Sequence, residues 1–235
     1  MRTLNRTWLV SGAALAALAL SCVLGSWQLD RAAQKEALQA ALQQRGALTA
    51  LDTAALVRLP DPMGQLHRPV QLRGSWLGQQ TVFLDNRQMQ GRPGFYVLTP
   101  LQLESSAQIA LVQRGWVARN FLDRASLPVL DTPAGSVSVT GRLAPPPPKL
   151  YEFGGAETGP IRQNLDMARF AAELGRPVLA ATIVQTEGRP DGLQRDWPMP
   201  GSGAEKNYGY AFQWFGLGAL IAVLFVWFQI VRRFI

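Results

Sequence analysis

Few side chains in this chain of 235 residues suit covalent chemistry. It has one histidine, His67, and one cysteine, Cys22. A Ser-His-Asp or Cys-His mechanism would have to use His67, and nothing around it resembles a nucleophile elbow. A metal site of histidines and cysteines is excluded by count, as are a CxxC pair and an intrachain disulfide. No catalytic residues are assigned, and the chain is read as non-enzymatic. Two readings of His67 remain. One is a half-buried histidine at a strand start; the other is an axial haem ligand, where one imidazole suffices. The residues favour the first. Cys22 reads as a small apolar residue of a retained anchor, because the apolar run continues past it through Val23, Leu24 and Trp27.

Three clusters carry polar groups where the pattern is otherwise apolar. Asp85-Asn86-Arg87 ends a strand entering a hairpin. Gln113-Arg114-Gly115-Trp116 lies inside an apolar strand. An arginine there must reach water, a carboxylate or an anionic ligand, since an unpaired buried charge is costly. A salt bridge across the sheet, with Asp85 as a candidate partner, is the structural reading. A carboxylate site, which haem propionates would satisfy bidentately, is the functional one. The third cluster runs from Asn207 to Phe215. Tyr208, Tyr210 and Trp214 suit a membrane interface. Gln213 is a polar amide in an apolar run, expected to face a helix or a ligand, and Gly209, Gly216 and Gly218 would let a partner approach closely.

These clusters need a scaffold, and the pattern supplies one. Strands are expected at 69–77, 81–87, 95–103, 108–118, 136–143 and 177–187. In the first, Val70, Leu72, Gly74 and Trp76 alternate with Gln71, Arg73 and Ser75. Gly91-Arg92-Pro93-Gly94 signals the turn of a hairpin. A short helix is expected at 166–174, capped by Asn164 or Asp166 and stopped by Gly175 and Pro177. Pro145–Pro148 opens a long loop through Gly154-Gly155 and Gly159-Pro160. A second Gly/Pro-rich connection spans 189–205. The expected class is α+β: a mainly antiparallel, barrel-like β domain with short helices.

The ends of the chain differ in kind. No charged side chain occurs from Thr7 to Leu29 or from Asn207 to Val231. As helices these windows each extend about 35 Å, enough to cross a hydrocarbon core of about 30 Å. Trp8 and Trp27 bracket the first span, and Trp214 and Trp227 lie near the ends of the second. Residues 30–45 are rich in helix formers and continue the first helix until Gly46 ends it. The net charge of +7 is unevenly placed, because all 16 acidic residues lie between the spans. Arg2 and Arg6 precede the first span and Arg232 and Arg233 follow the second, which puts both termini in the cytoplasm. The expected organisation is therefore 1–6 cytoplasmic, 7–29 and 207–231 spanning, 30–206 extracytoplasmic and 232–235 cytoplasmic. No basic stripe with interleaved aromatics marks a nucleic-acid surface, so the polyanion reading is set aside.

The order of motifs resembles the SURF1 family, whose yeast relatives are called Shy1. The resemblance runs through Phe83-Leu84-Asp85-Asn86-Arg87, Gly91 to Pro100, Leu111 to Val117, Asn164 to Ala168 and Tyr210 to Phe215, with a span at each end. It implies an assembly factor for haem–copper cytochrome c oxidase in the bacterial inner membrane, with the central domain periplasmic. The implied partners are the catalytic subunit (subunit I) and other assembly factors, and the implied step is insertion of haem a. The alternative it allows is a carrier that binds haem a and transfers it directly. Residues implied for such a cofactor are Arg87, Arg114, Tyr210, Trp214 and His67. The family often has a histidine three residues before the tyrosine of its last motif, and here that position is Asn207.

Overall fold

The computed structural model describes residues 2–120, 127–151, 158–197, 203–229 and 231. Gly154-Gly155 of the long loop and Arg232 and Arg233 lie outside them. The chain divides into two units, an assembly of its two terminal helices and a β unit of Ala41–Pro198.

Helix α1 runs unbroken over Arg2–Gly46, so the stretch expected to span and the polar stretch after it form one helix that stops at the expected glycine. Helix α4 covers Ala204–Gln229. Both are long and apolar enough to cross a membrane, and most of their apolar residues are exposed, unlike those of a helix in a soluble core. Gly25 leaves room for the Phe215 ring, which would lie 2.8 Å from an added Cβ. Gly218 packs against Leu18 and Ser21. Gly209 and Gly216 face open space, so of the three glycines singled out near the second span only Gly218 serves a helix contact.

In the β unit the chain order is β1 (Leu51–Asp52), α2 (Thr53–Val57), β2 (Pro69–Trp76), β3 (Val82–Met89), β4 (Arg92–Leu103), β5 (Ile109–Ala118), β6 (Ser136–Ala144), β7 (Ile161–Arg162), α3 (Met167–Leu174) and β8 (Thr182–Gln185). One eight-stranded sheet has the order β1-β2-β6-β8-β5-β4-β3-β7, and β2 also pairs with β4. That extra pairing closes β2, β6, β8, β5 and β4 into a barrel. It is short, joining Gly74–Trp76 to Leu101–Leu103. Most pairs are antiparallel, but β1–β2, β3–β7 and β5–β8 are parallel.

Alternation of side chains places Val70, Leu72, Leu101, Leu103, Ala110, Val112, Val139, Leu143, Ala181 and Ile183 in one buried cluster. Where β4 and β5 extend beyond the barrel alongside β3, both faces are covered. Leu84, Leu98 and Leu111 meet Phe170 of α3 on one face, and Phe83, Phe95, Val97 and Leu193 cluster separately. This explains why β5 is buried along almost its whole length rather than alternating.

Several local expectations shift. The hairpin turn falls at Gln90-Gly91, both with positive φ, so Arg92–Gly94 already belong to β4. The last strand shrinks to Thr182–Gln185, with Val178 making only an isolated bridge to Ile109. Helix α3 is capped by Asp166, whose Oδ1 accepts from Ala168 and Arg169, and Gly175 closes it in the left-handed region. Asn164 does something else: it exchanges two hydrogen bonds with the Leu150 backbone and pins the long loop.

Candidate functional site

Two β-bulges aim the two arginines. On β3, Leu84 lies opposite Tyr96 and Arg87 opposite Gly94, so one residue is extra, and Asn86 takes a φ of 58°. On β5, Gly115 faces Val97 and Gln113 faces Leu98, which leaves Arg114 as the extra residue. Bulges re-aim side chains, and both guanidinium groups turn into the protein. Arg87 is 5% exposed and Arg114 is 3% exposed.

Arg87 donates from Nη1 to the Pro148 carbonyl (2.8 Å) and from Nη2 to the Gln163 carbonyl (2.9 Å). It holds together the two ends of the long loop. Its guanidinium lies 5.9 Å from the centre of the Tyr96 ring, and its own carbonyl accepts from Trp116 Nε1 at 2.8 Å. Burial lowers the proton affinity of Arg87, with Tyr96 opposing; a guanidinium starts so high that it stays charged.

Arg114 donates from Nη1 to Thr132 Oγ1 (2.8 Å) and from Nη2 to the Asp131 carbonyl (2.7 Å). Its ion pair is with Asp191 (3.4 Å), and it stacks 5.0 Å from the Trp76 ring. The suggested partner Asp85 instead pairs with Arg119. Asp191 also takes Arg195 at 2.6 Å. Burial pushes the Asp191 carboxyl up. The Arg195 and Leu193 hydrogen bonds and the charges of Arg195 and Arg114 outweigh it and hold the group below the ordinary aspartate range.

A propionate clamp needs guanidinium groups with free donors facing one opening. The terminal donors of Arg87 and Arg114 are instead directed at the protein's own carbonyls, hydroxyl and carboxylate. The pair does not fit such a clamp. His67 does not join them. It sits just before β2 with a left-handed φ of 73°, its N–H donating to the Leu143 carbonyl at 2.7 Å. Its proton affinity is lowered, by burial first and then by Arg142 and Arg45.

In the helical unit Tyr210 is 53% exposed and Gln213 is exposed, while Trp214 is half-buried. Gln213 therefore faces outward from the helix pair. Asn207 is engaged at both polar atoms: Lys35 Nζ donates to its Oδ1 at 2.7 Å, and its Nδ2 donates to Gln28 Oε1 at 2.6 Å. The Tyr208 hydroxyl meets Glu36 at 2.9 Å. These contacts cross-link α1 and α4 through polar groups, where a histidine would leave a ring nitrogen for iron. A carboxamide is a poor ligand for haem iron, so position 207 does not fit an axial ligand.

Sequence reasoning missed Asp191, Arg195 and Lys35. Asp191 and Arg195 sit in a Gly/Pro-rich stretch without periodicity, and their one signal is a carboxylate four residues before an arginine. Trp197 was missed for the same reason; it donates to the Gln185 carbonyl (2.7 Å) and packs edge-on to Tyr96.

Two terminal helices long and apolar enough to cross a membrane, together with a small closed barrel, define the class of protein. Comparison with known proteins is specific about which kind. The SURF1 family model matches residues 15–219, a stretch that takes in most of both helices and the whole barrel, and the chain belongs to that family. A SURF1-like protein of Drosophila melanogaster is 29% identical over 89% of this chain and 74% of its own length. A SURF1-like protein of Rickettsia bellii is 24% identical, covering 86% and 83%. The cytochrome oxidase assembly protein SHY1 of Saccharomyces cerevisiae is 26% identical over 68% of this chain and 43% of its own length.

Proposed function

We propose that this protein is a non-catalytic assembly factor for cytochrome c oxidase, acting on the catalytic subunit at the step where haem a enters it. The observation that carries the reading is the family match across both helices and the barrel, together with a relative named for oxidase assembly. The helix pair supports it. Phe212, Leu220, Val223 and Trp227 are all exposed, leaving much apolar surface for lipid and for the spans of a client subunit. The chain takes part by contact and timing rather than by ligating iron itself.

The first test is the spectrum of the membrane oxidase in cells lacking this protein. We expect the large subunit to be present but short of haem a, and re-expression of the chain to restore it. An oxidase of normal spectrum and activity would end this reading.

The orientation proposed with it has both termini in the cytoplasm and the barrel in the periplasm. A phosphatase reporter fused after Ile235 should be inactive, and one inserted at Gly135, in an exposed turn between Ala134 and Ser136, should be active. The reverse pattern would overturn the orientation without touching the assembly role.

A further inference from the structure

The sheet ends at β7, which is too short to cover β3. It pairs only with Phe83 and Leu84. Gly159 and Pro160 precede it in a bend, with a positive φ of 106° at Gly159. The Phe83 N–H donates to the Pro160 carbonyl at 2.7 Å, so the main chain of Phe83 faces this edge. Thr81 is extended too, and residues two apart in a strand present their main-chain groups to the same side. The Thr81 carbonyl therefore faces the same edge, just short of where β7 begins. Among the described residues it accepts no hydrogen bond.

A cleft opens on each face of the sheet at this point. Val82 and Phe83 point to opposite faces, into two separate apolar clusters. On the α3 face, a cleft of about 380 Å³ is lined by Val82, Phe170, Leu174, Arg162 and Glu173. On the other face, a cleft of about 410 Å³ is lined by Phe83, Leu127 and Leu130. Gln79, Thr81 and Pro160 line both. Each cleft is within the range of ligand sites, about 300–1,000 Å³. The only charged residues lining either one are Arg162 and Glu173, joined to each other by hydrogen bonds of 3.2 and 2.6 Å. The walls are therefore neutral. The wall of the second cleft is held in place, because Arg114 donates to the Asp131 carbonyl and to Thr132. Val129, 99% exposed between Pro128 and Leu130, adds apolar surface beside it.

We propose that this edge docks an extended, uncharged segment of a partner polypeptide, added to the sheet beside Thr81. Side chains of an extended strand alternate between faces. Two consecutive apolar residues would then enter the two clefts, one on each side of the sheet. The main chain between them meets the Thr81 carbonyl. Gln79 and Gln80 are exposed, and their amides both donate to and accept from a peptide backbone. Charge complementarity favours a neutral segment: the paired wall charges offer nothing to an ionised side chain, and burying one unpaired is costly. A helix does not fit, because a cylinder about 10–12 Å across cannot reach both faces of a sheet at its edge. The site does not rest on the assembly role, since peptide binding is measured without an oxidase.

The test pans phage displaying random heptapeptides against the full chain in maltoside micelles, after removal of phage that bind empty micelles. Enriched peptides should carry two adjacent large apolar residues with no charge beside them. A fluorescent copy of the most enriched peptide should bind saturably by polarisation. Gln79→Trp sets a large ring at the mouth of both clefts, on an exposed turn. It should weaken binding by about tenfold or more, the scale of one lost anchor contact. Gln88→Trp, exposed at the other end of β3, should leave binding unchanged. If Gln79→Trp does not fold, Gln80→Trp, whose position lines the α3-side cleft, carries the same comparison. No enrichment, a consensus that is charged or lacks the apolar pair, or equal binding by the folded Gln79→Trp and Gln88→Trp variants overturns the site.

Discussion

Replacing Arg114 by alanine is expected to destabilise the β unit by about 3–5 kcal/mol, the usual cost of removing one partner of a buried ion pair. The side chain is 3% exposed and donates to Thr132, Asp131 and Asp191. Truncation leaves the Asp131 carbonyl and Thr132 hydroxyl without their donor and exposes one face of Trp76. Asp191 keeps Arg195, which sets the loss toward the lower end of that range. The check is urea denaturation of the full chain in micelles, followed by near-ultraviolet circular dichroism. Arg114→Lys should recover only part of the loss, because a single ammonium cannot serve three acceptors in fork geometry. A ligand-holding arginine would behave oppositely: its removal would leave stability intact and reduce only oxidase maturation.

The same network gives a signed pH dependence. The folded Asp191 carboxyl lies below its ordinary value of 3.8. It therefore binds fewer protons folded than unfolded, and its contribution is fully present above that value. The contribution is lost as pH falls from 3.8 through the depressed folded value. Asp191→Asn should be less stable at neutral pH and show a shallower loss on acidification.

Gly74→Val is expected to have the other large effect. A Cβ at Gly74 would stand 2.2 Å from the Gln102 carbonyl oxygen and 3.0 Å from Leu101 Cγ. The first obstacle is backbone, so no rotamer relieves it. Relief requires β2 and β4 to part at Gly74–Trp76 and Leu101–Leu103, the seam that closes the barrel. Overpacking alone costs about 1–3 kcal/mol, and the lost seam adds to it. Against a typical total of about 5–15 kcal/mol, the variant should accumulate poorly and melt early. Gly46→Ala is the matched control, because nothing lies within 4 Å of its Cβ position. Equal stability of the two variants would mean that the seam does not hold the barrel.

Much of the fold was legible locally. The charge-free windows announced two helices, because in lipid a backbone must satisfy its own hydrogen bonds. Period-two alternation found β2 and β6, and Asp166 with Gly175 framed α3 correctly. Edges and partners were harder. Residues 177–181 look like strand by composition, yet they make only one bridge, and β8 pairs over four residues with β6 and two with β5. The β1–α2 segment and β7 were unreadable because two-residue strands carry no period. The cofactor set was assembled from residue types, and type does not reveal where a donor points. Arg87 and Arg114 look available in sequence and are occupied in the fold because the bulges turn them inward.

The sequence by itself determined the two long apolar helices, the β character of the centre, the family, and the absence of a histidine at position 207. Each of these depends on composition or spacing along the chain. Tertiary structure decided that the sheet closes through β2 and β4, that Asp191 rather than Asp85 answers Arg114, and that Asn207 is held by Lys35 and Gln28. All three are contacts between segments far apart in sequence, and only the packing of the chain brings such groups to within a few ångströms.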